Sequence, residues 1–191
     1  RDGRLHALAD GRWPTAELLK RFSVFAATSS WGAPMPQPML RLLVCRHGEP
    51  RSTELDPGLT SFGLRSARKL GDWAIGQIAD VHAIVHTRTQ RTLQTATELA
   101  LMWPALAVGP IDGVPDQVED GLGFTERLWR VHGGNVVVVG HHTTLQMICR
   151  DLLPPPVVLP RPAPCSAVVV QGMPGSEDWR LMAWRSGPLS T

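Results

Sequence analysis

Four consecutive valines, Val136–Val139, limit the fold of this chain more than any other stretch. β-Branched side chains favour extended backbone. A strand that is apolar at both parities has no face to offer water, so it belongs in a sheet covered on both sides. Leu40–Cys45 is of the same kind, with Leu42 to Cys45 unbroken, and Val81–His86 reads as another strand. Between the strands the apolar period changes to that of a helix. Thr60–Ile75 places Leu64, Ala67, Leu70, Trp73 and Ala74 at helical spacing. Thr92–Trp103, ended by Pro104, Gln117–Val131, and Thr143–Leu153, ended by Pro154, also read as helices. Leu106–Val108 is a short strand, and Ser166–Gln171 and Trp179–Trp184 form a hairpin-like pair around Gly172–Gly175. Strands alternating with helices predict an α/β fold, a three-layer α/β/α sandwich with a mainly parallel central sheet.

The 191 residues suit one domain, and 43% apolar residues suffice for its core. Residues 1–38 differ from the rest and read as an N-terminal extension. It holds a short amphipathic helix over Thr15–Phe25, then a Pro-rich linker at 31–38. Its four arginines would suit a transit peptide, but Asp2, Asp10 and Glu17 speak against one. The domain proper is expected at 39–191. A net charge of +2 is too slight to argue for a nucleic-acid or membrane partner. No apolar run approaches membrane-spanning length. Cys45, Cys149 and Cys165 form no CxxC spacing and read as reduced, mostly buried thiols of a cytoplasmic protein.

In open, mainly parallel sheets ligands bind beyond the carboxyl ends of the strands. That rule selects Arg46–Glu49, His86–Arg91 and Gly140–Thr144. One sheet edge then presents Arg46, His47, Arg91 and His141, with Arg88 and His142 close by. Cations and imidazoles at one mouth call for an anion, and two arginines clamp phosphoryl oxygens through forked hydrogen bonds. His141 and His142 are adjacent and have no third partner at zinc spacing, so no metal is expected. His6, His82 and His132 read as surface or satisfied core residues, and His86 as structural.

Four segments, LLVCRHGEP (42–50), DPGLTSFGLRSARKLGDW (56–73), RTLQTA (91–96) and VVVVGHHTTL (136–145), occur in order. Together they resemble the motifs of the histidine phosphatase superfamily, of phosphoglycerate mutase-like fold, over residues 40–185. The resemblance implies that His47 takes the phosphoryl group, that Arg46 and Arg91 hold its oxygens, and that His141 neutralises its charge. It places an acid some two dozen positions beyond Arg91, where Asp116 stands, with Asp112 and Glu119 as rivals. Glu49, Arg88 and His142 are candidates for the substrate pocket; His142 lines it or faces solvent. The implied activity is that of a metal-independent, cofactor-free phosphomonoesterase with a phosphohistidine intermediate. Its substrate is a phosphorylated small molecule or a phosphoprotein, the latter because Val139-Gly140-His141 resembles the phosphohistidine-protein phosphatases. The alternatives are mutase-type phosphotransfer and an inactive phosphate-binding scaffold. The short span Thr92–Gly140 leaves little room for the cap of a mutase.

Overall fold

The computed structural model describes residues 39–52, 55–111, 121–154 and 162–188. The expected helix at 15–25 and the acid candidates Asp112, Asp116 and Glu119 lie outside the described residues. Strands β1 (Leu40–Arg46), β2 (Val81–His86), β3 (Val108–Pro110), β4 (Asn135–Gly140), β5 (Ser166–Gly172) and β6 (Trp179–Ser186) form one sheet. Helices α1 (Ser61–Ala74), α2 (Gln90–Ala100), α3 (Gly121–His132) and α4 (His142–Leu152) separate the first five. The strand order is β3-β2-β4-β1-β5-β6. The pairs β1–β4, β2–β4 and β2–β3 are parallel, and β5 joins β1 and β6 antiparallel. The predicted α/β sandwich with a mainly parallel sheet is the observed one.

The four valines of β4 divide by parity. Val136 and Val138 pack with Leu40, Leu42 and Val44 against Phe124 and Leu128 of α3 and Leu145 and Ile148 of α4. Val137 and Val139 pack with Leu43 and Cys45 against Ala67 and Leu70 of α1 and Ala96 and Leu99 of α2. All four valines are fully buried, as the unbroken run requires. The three cysteines are free and buried, and burial pushes the Cys149 and Cys165 thiols up to about 12. Among the described residues no helix is long and apolar enough to cross a membrane.

Three boundaries differ from the sequence-based expectation. Helix α2 begins at Gln90, two residues before Thr92, because the Thr92 hydroxyl accepts a hydrogen bond from the Thr89 N–H and closes the first turn. It ends at Ala100; Met102 and Trp103 bond back to Leu99 and Ala100 in tighter turns ahead of Pro104. Strand β3 lies at 108–110 rather than 106–108, since its register pairs Ile84 with Val108 and His86 with Pro110. Pro110 is tolerated because β3 is an edge strand. The start of α3, expected at Gln117, lies outside the described residues, and the remaining ends agree to within one or two residues.

Candidate active site

The main chain fixes the start of the site. Beyond β1, the His47 N–H donates to the Gly140 carbonyl (3.0 Å) at the end of β4. The His47 carbonyl accepts from the Cys165 N–H (3.2 Å) just ahead of β5. The Gly48 N–H donates to Thr95 Oγ1 (2.9 Å), and that hydroxyl donates to the Arg91 carbonyl (2.7 Å). The loop 46–49 is thereby tied to β4, β5 and α2. Glu49 accepts from the Thr60 N–H through its carbonyl (2.9 Å) and from the Thr60 hydroxyl through its carboxylate (3.0 Å). Thr60 also caps α1, its oxygen accepting from the Gly63 N–H (2.9 Å).

His47 is 5% exposed, and its Nδ1 lies 2.7 Å from the Gly48 carbonyl oxygen. A carbonyl can only accept, so Nδ1 carries the proton and Nε2 keeps its lone pair. Burial lowers the His47 pKa to about 4; the Gly48 bond opposes this, and the charges of His141, Arg46 and Arg91 add to it. A shift of this size disfavours the imidazolium by about 3 kcal/mol. The ring is therefore neutral near pH 7.

His141 stands at the N-cap of α4, with its N–H donating to Thr144 Oγ1 (3.2 Å). Its ring centroid is 5.2 Å from that of His47, and the two planes meet at 70°. Its Nε2 lies 3.1 Å from Thr87 Oγ1. Arg46 is anchored by a hydrogen bond from Nη1 to the Pro162 carbonyl (2.6 Å). Arg91 Nη1 lies 3.7 Å from Asp56 Oδ1. The same carboxylate oxygen accepts from the Gln90 N–H (2.6 Å), an anion at the N-terminus of α2.

The structure thus gathers His47, His141, Arg46 and Arg91. Glu49 is exposed and its carboxylate is turned to Thr60. Arg88 is exposed on the β2–α2 connection, and His142 is half-buried as the first residue of α4. His86 is buried, its Nδ1 donating to the Thr87 carbonyl (2.8 Å), as its structural reading implies. Sequence reasoning missed Asp56, Thr87, Thr92 and Thr95 as supports of the site, and Gln94, whose Oε1 accepts from the Leu59 N–H (2.6 Å). The signal was available for two of them. Thr92 and Thr95 occupy the buried stripe of α2 beside Ala96 and Leu99, where hydroxyls need partners.

No protein-family model matches the chain, and no curated protein matches it in sequence. Solved structures do match it in shape. A mycobacterial glucosyl-3-phosphoglycerate phosphatase superposes with a TM-score of 0.60 at 19% identity, over 78% of this chain and 100% of that one. The protein histidine phosphatase SixA, complexed with tungstate, gives 0.61 at 17% identity, over 76% and 96%. A phosphoserine phosphatase variant from Entamoeba histolytica, in complex with phosphoserine, gives 0.55 at 15% identity, over 77% and 97%. The chain has the fold of the histidine phosphatases. At such identities the likeness is one of fold.

Proposed function

We propose that the chain is a metal-independent phosphomonoesterase acting through a phosphohistidine on His47. The observation that carries this reading is the neutral, buried His47, its proton committed to the Gly48 carbonyl and its Nε2 lone pair left for attack among Arg46, Arg91 and His141. Phosphoryl transfer asks mainly for in-line positioning and charge stabilisation, which two arginines and a second histidine supply. Nε2 of His47 attacks phosphorus as the ester P–O bond breaks. The departing alkoxide takes a proton from an acid, for which Asp116, Asp112 and Glu119 are the candidates. Water, giving a proton back to that carboxylate, then displaces the phosphate from Nε2 and restores the neutral ring. The three solved structures described above include phosphatases of a sugar-acid phosphate conjugate and of phosphohistidine and phosphoserine, so a phosphate monoester or phosphoprotein substrate fits the same reading.

Trapping decides it. Quenching in alkaline detergent during turnover of radiolabelled phosphate ester should leave a base-stable, acid-labile label on the wild-type chain and none on His47→Ala. Label of equal intensity on both proteins removes His47 from the chemistry. The depressed pKa sets the pH profile. Protonating His47 destroys the nucleophile, so kcat/KM, corrected for the ionisation of the substrate, should hold on acidification through pH 6.5 and fall with a midpoint near 4. An acid limb centred at 6.5 would mean that the working ring is solvated.

A further inference from the structure

We propose that Thr87 is a positioning residue that fixes the proton of His141 on Nε2 and holds that N–H ready for the incoming phosphoryl group; this rests on the reading of the site as a phosphatase centre. Hydroxyl bookkeeping carries the argument. Thr92 Oγ1 lies 2.5 Å from the Thr87 carbonyl and 2.8 Å from the Thr89 carbonyl. Carbonyls only accept, so the single proton of Thr92 goes to one of them. Thr92 Oγ1 then meets the other groups as an acceptor, Thr89 Oγ1 at 2.9 Å, Thr87 Oγ1 at 3.3 Å and, as the longer branch of a bond shared with the Thr87 carbonyl, the Thr89 N–H at 3.4 Å. The Thr87 proton is therefore directed to Thr92, and the lone pairs of Thr87 Oγ1 are left for the group on its other side. That group is His141 Nε2, at 3.1 Å. The bond closes only if Nε2 carries the hydrogen. Three threonines and two carbonyls thus orient one histidine proton.

Thr87 itself has little freedom. It is 4% exposed, its N–H donates to the Val139 carbonyl (3.1 Å), and its carbonyl accepts from the Thr89 N–H (2.8 Å). A hydroxyl placed this rigidly holds an imidazole without exchanging with water. When a phosphoryl oxygen arrives, the Nε2–H changes acceptor and the ring need not flip. The tautomer is set before substrate binds, and that ordering is what makes the donor effective. Valine matches threonine in shape and lacks the hydroxyl, so Thr87→Val separates the hydrogen bond from packing.

The test is nitrogen-15 spectroscopy of the histidine rings of the full chain, with kinetics on p-nitrophenyl phosphate. Wild type and Thr87→Ser should show neutral His141 as the Nε2–H tautomer, and Thr87→Val a mixture. Thr87→Val should lose about tenfold in kcat with KM little changed, the worth of one ordered hydrogen bond, and Thr87→Ser should recover most of it. A wild-type His141 with its proton on Nδ1 overturns the proposal, whether or not Thr87→Val folds. A Thr87→Ser as impaired as Thr87→Val overturns it as well. Ring spectra need no turnover. An inactive wild type would sink the phosphatase reading alone, and the tautomer would still decide the role of Thr87.

Discussion

Replacing His47 by alanine is expected to cut turnover of p-nitrophenyl phosphate by about four orders of magnitude or more while leaving the fold in place. The loss is large because the residue is the proposed covalent nucleophile, and no second group among the described residues offers a lone pair in its position. The fold should survive because the bonds that hold residue 47 are main-chain bonds. Its N–H to Gly140 and its carbonyl to Cys165 do not involve the ring. Alanine gives up one side-chain bond, Nδ1 to the Gly48 carbonyl. Melting curves of the two proteins should lie close together, and a variant that keeps a tenth of wild-type turnover would end the proposal for His47. Losing both activity and fold would instead show that the ring is part of the core.

Gly63→Ala should be nearly as damaging for a different reason. A Cβ at Gly63 meets the carbonyl oxygen of Glu49 in hard overlap and lies 2.9 Å from its nitrogen. Reciprocally, a Cβ at Gly48 would come within 2.8 Å of the Gly63 carbonyl oxygen. These are contacts of backbone with backbone, so no side chain can rotate away. Either the first turn of α1 or the loop that carries His47 must shift. The expected cost is about 1–3 kcal/mol, a fall in melting temperature of about 3–10 °C, with most activity lost. Gly109→Ala is the comparison, since a Cβ there meets nothing within 4 Å. If both variants melt and react like wild type, the close approach of α1 to the 46–49 loop does not hold the site.

The fold was legible where a residue pattern had one physical solution. The run Val136–Val139 has apolar side chains at both parities and could only be a doubly covered strand. The helical stripes of Thr60–Ile75 and Thr143–Leu153 led to α1 and α4 with errors of one residue. Leu106 misled because its hydrophobicity suggested a strand, whereas the pairing partners on β2 begin at Val108. In the site, His47, His141, Arg46 and Arg91 could be found because each lies at or just beyond a strand exit. Asp56 and Thr87 could not be found that way. Their roles arise from long-range contacts, with Gln90 and Arg91 for one and with His141 for the other, and no local period announces them.

One arrangement at the end of β1 bears on how such a site endures. His47 is suspended between Gly140 on one side and Cys165 on the other by an amide and a carbonyl, groups that almost any residue at those positions would supply. Substitutions around it can therefore accumulate without dislodging the imidazole, provided that the glycines at 48 and 63 stay small. Chains that share under a fifth of their residues with this one superpose on it at a TM-score near 0.6, so the fold itself tolerates wide change in sequence. The place of the imidazole is thus set by main-chain bonds at the sheet edge and by two small residues, which leaves the side chains around it room to change.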